Sequence, residues 1–266
     1  MPVKKGYLID VQGTLIDDKD KKPIAGSLET IRSLYERGIP FVLVTNNTKQ
    51  ESDRFMAYLR DLGFLFDDEQ YLDPLMVLGR LLPPTRVAAF GSDPFVEVLE
   101  RRGYETGHPL PEAILVAIRH DYDNDDYAAM IEGVLSGAKL IGMHETSIYA
   151  KNGRRYPGVG AILKMVSFAT GRGYDVVGKP SRRFYEEALR RLRRQEKDIE
   201  ASDVTMISDD LIGDLRGAKA MGMQTILVLS GKIGSIEEVG SIVHDGADRV
   251  VSDIGALDLA KKRERV

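Results

Sequence analysis

The sequence predicts an α/β fold built around a parallel β-sheet. Short apolar runs alternate with amphipathic helical stretches along almost all of the 266 residues. The first 62 residues already show the order strand, helix, strand, helix, which parallel strands joined by helical crossovers require. Strands are predicted at 7–10 and at 41–45, where the uninterrupted run FVLVT is typical of a strand buried on both faces. Helices are predicted over 27–37 and 50–62 from apolar residues at helical spacing.

The same alternation continues to the end of the chain. Further strands are predicted at 87–90, 113–118, 139–143, 174–178, 204–208, 224–230 and 249–253, and helices at 94–102, 125–135 and 160–170. Two regions rich in turn-forming residues, 72–74 and 169–174, are candidate seams between domains.

Composition and charge exclude several classes of function. The chain has no cysteine, which excludes disulfides, zinc–thiolate sites and thiol catalysis. A net charge of −4 argues against a nucleic-acid or anionic-membrane partner. The basic stretch 182–194 carries apolar residues at helical spacing and is interpreted as a solvated helix face. The N-terminus lacks a signal-peptide core and no run approaches the length of a membrane span, so we expect a cytoplasmic location.

An acidic residue, Asp10, ends the first predicted strand and is followed by Val11-Gln12-Gly13-Thr14. In open α/β sheets, ligands bind at the carboxyl ends of the strands. Gly13 allows main-chain N–H groups to approach an anion closely, and Thr14 adds a hydroxyl. Asp10 is therefore a candidate nucleophile; the alternative is an aspartate that only caps a turn.

Two later strand ends carry groups suited to phosphate. Thr45 and Asn46 lie at the carboxyl end of the second strand and could donate to phosphate oxygens. The alternative is an Asn-rich turn in which Thr48 is a helix N-cap. Lys179 lies between a strand and a helix. A lysine at a helix N-terminus conflicts with the helix dipole unless an anion is bound there; the alternative is an exposed loop lysine.

Three carboxylates, Asp209, Asp210 and Asp214, follow the strand at 204–208. Such a group suits Mg²⁺, which takes one or two carboxylates and keeps several waters; the alternative is a helix start carrying acids. Four strand ends thus offer, in order, a nucleophile, phosphate donors, a cation and metal-binding acids. This inventory indicates phosphoryl transfer through an aspartyl-phosphate.

The order of these motifs resembles the haloacid dehalogenase superfamily, and more closely its NagD / p-nitrophenyl-phosphatase-like branch, over essentially the whole chain. The motifs that carry the resemblance are DVQGTL (10–15), PIAG (23–26), TNN (45–47), PGVG (157–160), GKP (178–180), Asp209 with Asp214, and TILVLSG (225–231). The resemblance implies a Rossmann-like parallel-sheet core formed by 1–72 and 173–266, with an inserted α/β cap domain at 73–172.

The resemblance also implies the roles of the residues that would handle phosphate. Asp10 attacks the phosphorus atom, Thr45 and Asn46 hold phosphate oxygens, and Lys179 neutralises the phosphate and the nucleophile. The implied substrate is a small phosphorylated metabolite, with no nucleic-acid or membrane partner. A homo-oligomeric state stays open.

The implied cofactor is Mg²⁺, bound by the side chains of Asp10 and Asp209 and by the main-chain carbonyl of Gln12. Asp214 would orient the metal shell and Lys179. The family usually has a second Asp at the position of Gln12, where it protonates the leaving group and activates water. The amide of Gln12 cannot do this at neutral pH, and such catalysis is typically worth ~10²–10⁴-fold. Hydrolysis is therefore expected to be slow, or to depend on a substrate with a good leaving group.

The cap departs from the branch as well. It reads GMHET at 142–146 where the branch usually has ATNPD. This segment and residues 156–160 are expected to face the site. His144 could replace the missing acid only if the cap delivers it there, and it is interpreted as a lone surface histidine.

The leading hypothesis is a phosphatase of small phosphate monoesters. The alternative is a catalytically weakened phosphate-binding or regulatory protein, which Gln12 favours. A transferase with a long-lived aspartyl-phosphate would also tolerate Gln12. A nucleotide-binding oxidoreductase is disfavoured because no G-x-G-x-x-G follows the first strand.

Overall fold

The structure, a computed structural model, describes residues 6–151, 154–238, 240 and 243–259. It divides into two compact units. The first unit contains 1–45, 53–72 and 185–266, and the second contains 46–52 and 73–184. The predicted division into a core and a cap at 73–172 stays a prediction.

The secondary structure alternates as the sequence predicts. The strands are β1 Gly6–Asp10, β2 Phe41–Val44, β3 Tyr71–Leu72, β4 Val87–Phe90, β5 Ala113–Val116, β6 Lys139–Gly142, β7 Ile148–Lys151, β8 Arg154–Pro157, β9 Tyr174–Val176, β10 Val204–Ser208, β11 Gln224–Val228 and β12 Arg249–Val251. The α-helices are α1 Ser27–Glu36, α2 Ser52–Asp61, α3 Pro74–Leu81, α4 Asp93–Arg101, α5 Asn124–Leu135, α6 Val159–Thr170, α7 Arg182–Gln195, α8 Arg216–Ala220 and α9 Val243–Gly246.

The first unit is built on a parallel sheet with the strand order β12-β11-β10-β1-β2-β3. Its central strands β1, β2 and β10 are almost wholly buried, as expected for apolar strands covered on both faces. β1 lies between β10 and β2, with Ile9 opposite Ile207 and Asp10 opposite Val44. The carboxyl ends of three strands therefore come together beside Asp10.

The second unit contains a parallel four-stranded sheet with the order β4-β5-β6-β9 and a separate antiparallel hairpin, β7-β8. α5 and α6 contribute to one buried apolar cluster with this sheet; its members include Ile114, Met130, Leu140, Val159 and Leu163. β9 pairs with β6 in this sheet. The predicted α/β class with parallel sheets is confirmed.

Helix α3 was not among the helices predicted from the sequence. The turn-forming residues at 72–74 lead into α3, because Pro74 occupies the first turn and the side chain of Asp73 caps the helix by accepting from the Met76 N–H at 3.0 Å. The hairpin β7-β8 was not predicted. No helix in the described part of the chain is long and apolar enough to cross a membrane.

Candidate active site

Asp10 lies at the carboxyl end of β1 and is buried, with 5% of its surface exposed. The chain turns tightly after it: the N–H groups of Leu15 and Ile16 both donate to the carbonyl of Val11, at 2.9 and 3.0 Å. This turn returns the hydroxyl of the buried Thr14 to Asp10, where it donates to Oδ2 over 3.4 Å. A carboxylate at a strand end is thereby placed at the edge where parallel sheets bind ligands.

Gly13 brings the loop after β1 into close contact with Asp209. Gly13 has a φ of 79°, and a Cβ atom added to it would overlap the carboxylate of Asp209. A Cβ on Gly231, in the loop after β11, would overlap the same carboxylate. The Ser230 hydroxyl donates to the Gly13 carbonyl at 2.7 Å. Two glycines therefore leave a cradle around Asp209 that a side chain would fill.

Asp209 is almost fully buried, with 1% of its surface exposed. Burial raises the pKa of its carboxyl to about 6, and the nearby Asp214 and Asp210 charges act in the same direction. The charge of Lys232 opposes the shift, as does the Lys232 main-chain N–H, which donates to Asp209 Oδ2 at 2.7 Å. A cation beside this carboxylate would favour its ionised form.

The other two acids of this loop are held by separate partners. Asp210 forms an ion pair with Lys232 at 2.5 Å and accepts from the Gly213 N–H at 2.7 Å. Asp214 is buried and accepts from the hydroxyl of Ser208 at 2.6 Å. The predicted acids therefore have different partners. Asp210 pairs with a lysine and accepts from the main chain of its own loop, whereas Asp214 accepts from the last residue of β10.

The pKa of the Tyr185 phenol is affected by the negative charges of several carboxylates in these loops. Tyr185 is buried and donates to the main-chain carbonyl of Asp214 at 2.7 Å. Burial raises the pKa of Tyr185 well above its usual value, and the carboxylates of Asp214, Asp210 and Asp10 raise it further. Acids from β1 and from the loop after β10 therefore act on one side chain.

The side chain of Gln12 contacts Thr45 across the sheet edge. Thr45 is fully buried after β2, and its hydroxyl donates to Gln12 Oε1 at 2.6 Å. The Thr45 N–H donates to the Leu72 carbonyl at 3.1 Å. The structure thus joins the predicted phosphate donor Thr45 directly to the side chain of Gln12.

In the second unit, Asn46 and Lys179 are joined by two hydrogen bonds. The Lys179 N–H donates to Asn46 Oδ1 at 2.9 Å, and Asn46 Nδ2 donates to the Lys179 carbonyl at 3.4 Å. Lys179 is buried, so it is not the exposed loop lysine of the alternative interpretation. Asn46 therefore holds the main chain at Lys179 in place through these two hydrogen bonds.

The segment 142–146 contacts the same loop. The N–H of Glu145 donates to the Lys179 carbonyl at 3.2 Å, and the Gly160 N–H donates to the Thr146 carbonyl at 2.9 Å. His144 is buried, with 5% of its surface exposed, and its Nδ1 lies 3.0 Å from the hydroxyl of Thr146. The interpretation of His144 as a lone surface histidine is wrong, because the loop after β6 packs onto the loop after β9.

The residues at the edge of the first sheet fit a magnesium ion. Among the residues that the structure describes, no group of three or more His, Cys, Asp or Glu side chains is arranged as a metal site. A site there would combine fewer carboxylates with a main-chain carbonyl and waters, which is the usual choice of Mg²⁺. The buried Asp209 carboxylate in its glycine cradle suits such an ion.

Comparison with known proteins identifies the family. A model described as haloacid dehalogenase-like hydrolase matches residues 7–105, and one described as HAD-hydrolase-like matches 176–257. The rat protein named haloacid dehalogenase-like hydrolase domain-containing protein 2 is 30% identical over 245 residues, which cover 89% of this chain and 88% of that protein. The chain belongs to the haloacid dehalogenase-like hydrolase family.

Two other similar proteins carry phosphatase names. The zebrafish (Danio rerio) phospholysine phosphohistidine inorganic pyrophosphate phosphatase is 26% identical over 255 residues, covering 95% of this chain and 92% of its own. The solved structure of p-nitrophenyl phosphatase from Archaeoglobus fulgidus superposes with a TM-score of 0.79 at 26% identity, covering 96% of this chain and 98% of its own. The predicted family, its p-nitrophenyl-phosphatase-like branch and the classification as a hydrolase of this type are confirmed.

Three residues that support the site had no role predicted for them from the sequence. Ser208, Ser230 and Lys232 all hold groups around Asp209 and Asp214. Ser208 and Ser230 end predicted strands, Ser230 lies within the motif TILVLSG (225–231), and Lys232 follows that motif directly. Their position at the sheet edge was the available signal, but their partners lie in other loops.

Proposed function

We propose that this chain is a magnesium-dependent phosphatase of small phosphate monoesters that forms an aspartyl-phosphate on Asp10. The main observation behind this proposal is the position of Asp10. It is buried at the end of β1, between the strands that lead into Thr45 and Asp209. The phosphatase names of similar proteins support the reaction class. A small phosphorylated metabolite as substrate and a cytoplasmic location belong to the same proposal.

Asp10 is the nucleophile in the first step. A carboxylate oxygen of Asp10 forms a bond to phosphorus, and the bond between phosphorus and the leaving-group oxygen breaks with its electron pair on that oxygen. In the second step a water oxygen attacks the same phosphorus atom. The bond to Asp10 breaks, its carboxylate is restored, and inorganic phosphate leaves with the proton balance closed by solvent.

The groups that hold the phosphate come from two loops. Thr45 and Asn46 offer a hydroxyl and an amide, and Lys179 offers a positive charge that offsets those of the phosphate and the nucleophile. Asn46 follows Thr45 directly in the chain and is hydrogen-bonded to the main chain of Lys179. This pairing supports a common role for the two loops.

The side chains of Asp10 and Asp209 and the main-chain carbonyl of Gln12 would hold Mg²⁺, with Asp214 orienting the surrounding shell. When bound, the ion supplies charge stabilisation for the transferring phosphoryl group. Asp214, fixed by Ser208 at 2.6 Å, keeps the loop of Asp209 in place.

Gln12 supports a second candidate function, a phosphate-binding or regulatory protein with weakened turnover. Its carboxamide cannot exchange protons near neutral pH. The Asp10 site, the buried Asp209 and the buried Lys179 would still bind phosphate and metal in such a protein.

The experiment that tests the proposal measures the burst and the steady-state release of p-nitrophenol from p-nitrophenyl phosphate with Mg²⁺. Asp10→Asn removes the nucleophile at nearly constant size and should abolish release. Asp18→Asn is the matched control, since Asp18 is exposed and pairs only with Lys21 among its described ion pairs; it should keep wild-type activity. Release that survives Asp10→Asn contradicts the mechanism, and wild-type protein without turnover supports the binding function.

A further inference from the structure

The hydrogen bond between Gln12 and Thr45 fixes what the Gln12 side chain can offer to a reaction. The Thr45 hydroxyl donates to Oε1 at 2.6 Å, so the oxygen of the carboxamide acts as an acceptor within the protein. The remaining polar group, the NH₂, is a donor that does not release its protons near neutral pH. Gln12 can therefore orient a neighbouring oxygen, but it cannot protonate one.

The neighbouring carboxylates of the first unit are in use as acceptors. Asp209 accepts from the Lys232 N–H, Asp210 from the Lys232 ammonium, and Asp214 from the Ser208 hydroxyl. Asp10 itself accepts from Thr14 and is the proposed nucleophile. Each of these four carboxylates therefore already accepts a hydrogen bond within the protein. In the proposed function Asp10 bonds to phosphorus and Asp209 holds the metal, so neither serves as the proton donor to the leaving group.

We propose that this site selects substrates by their leaving group: it cleaves phosphates of weakly basic oxygens, such as aryl and acyl phosphates, and discriminates against alkyl phosphates. The inference rests on the proposed phosphatase function. In the first step the electron pair of the broken P–O bond departs on the leaving oxygen. A phenolate or carboxylate accommodates that charge unprotonated, whereas an alkoxide needs a proton as the bond breaks.

Gln12 also limits the rate at which the phosphoenzyme is hydrolysed. Attack of water on the aspartyl-phosphate forms a P–O bond and releases a proton, which Gln12 cannot accept. Hydrolysis of the intermediate is then the slow step for a substrate with a good leaving group. Such substrates should share one steady-state kcat and differ in kcat/KM, which reports the first step.

The test compares p-nitrophenyl, phenyl, acetyl and ethyl phosphate with the full chain in the presence of Mg²⁺. For the wild type we expect kcat/KM to be high for p-nitrophenyl and acetyl phosphate, lower for phenyl phosphate and lowest for ethyl phosphate. Gln12→Asp should raise kcat/KM for ethyl phosphate by roughly 10²–10⁴-fold, the usual contribution of a positioned acid. It should change the value for p-nitrophenyl phosphate far less.

Asn124→Asp, which adds a carboxylate at the exposed start of α5, is the matched control and should leave the series unchanged. Wild-type cleavage of ethyl phosphate with the efficiency of p-nitrophenyl phosphate overturns the inference, as does an equal gain for all substrates in Gln12→Asp. Asp10-dependent turnover with a flat series overturns the leaving-group selection alone. The absence of Asp10-dependent turnover on every substrate overturns the phosphatase proposal as well.

Discussion

The hydroxyl of Thr45 donates its single proton to the side-chain oxygen of Gln12 at 2.6 Å. A threonine hydroxyl has one proton to donate, so in this arrangement Thr45 supports Gln12 rather than a phosphate oxygen. Thr45 must turn its hydroxyl to act as the predicted phosphate donor. The pair therefore links substrate binding to the orientation of the Gln12 amide.

Replacing Thr45 tests this link. Thr45→Val keeps the shape of the side chain and removes the hydroxyl, so kcat/KM for p-nitrophenyl phosphate should fall by roughly 10- to 100-fold, as for a hydrogen bond to a charged group. Thr45→Ser keeps the hydroxyl and is the matched control, with activity near that of the wild type. Equal activity in the valine and serine variants would exclude a role for this hydroxyl.

Gly13 should be irreplaceable because of both its backbone conformation and its contact. Gly13→Ala places a methyl group at a φ of 79° and against the Asp209 carboxylate. Gly38→Ala is the control, since Gly38 has a φ of 61° but no atom near its Cβ position. Both should lose about 1–2 kcal/mol from the left-handed conformation. Only Gly13→Ala should also lose Mg²⁺-dependent activity, as urea unfolding and p-nitrophenyl phosphate assays can show; equal effects would contradict the contact.

Asn46 should contribute more than its neighbour Asn47. Asn46→Ala removes two hydrogen bonds to the Lys179 main chain and should lower the free energy of unfolding by about 1–3 kcal/mol. It should also weaken the binding of inorganic phosphate, measured by calorimetry. Asn47→Ala, which removes contacts with Gln50 and Lys49 at the surface, should do neither. An equal loss of stability and of phosphate binding in both variants would contradict a specific contribution from the contact between Asn46 and Lys179.

Lys232 should oppose metal binding while it supports the apo protein. Its ammonium pairs with Asp210, and its positive charge opposes the rise in the pKa of Asp209. Lys232→Met keeps the main-chain N–H to Asp209 and removes the charge, so Mg²⁺ should bind more tightly by about 5-fold or more, from ~1 kcal/mol between unit charges at 4 Å in water. The melting temperature as a function of Mg²⁺ concentration measures this. Lys219→Met, which breaks the pair with Asp248, is the control; unchanged or weaker Mg²⁺ binding in Lys232→Met would be the contrary result.

The sequence predicted the parts of this molecule that depend on local pattern. The strands β1, β2 and β10 are largely buried and rich in apolar residues, and an acid or hydroxyl ends each strand or follows it at the sheet edge. Parallel pairing brings such ends together, so the grouping of Asp10, Thr45 and Asp209 could be expected.

The rest depends on contacts between loops that are distant in sequence. The pair of Lys232 with Asp210 and the bond from Ser230 to Gly13 join different strand ends. The burial of His144 follows from packing of its loop on that of Lys179, which a single histidine in a sequence does not indicate.

The hairpin β7-β8 was missed for a different reason. Its strands, IYAK and RRYP, have only four residues each, so an alternation of apolar and polar residues is hard to recognise in them. The dipeptide Asn152-Gly153 between them lies outside the described residues, but Asn-Gly is a strong hairpin signal in sequence. Greater weight on this signal would have predicted the element.

The covalent role of Asp10 is tested most directly by trapping the intermediate. The full chain is mixed with Mg²⁺ and p-nitrophenyl phosphate, quenched during the burst, reduced with borohydride, which converts an aspartyl-phosphate to homoserine, and mapped by peptide mass spectrometry. We predict that Asp10 is converted and that Asp209 and Asp214 are not. An unmodified Asp10 during a measurable burst, or conversion of a different carboxylate, would contradict the proposed mechanism.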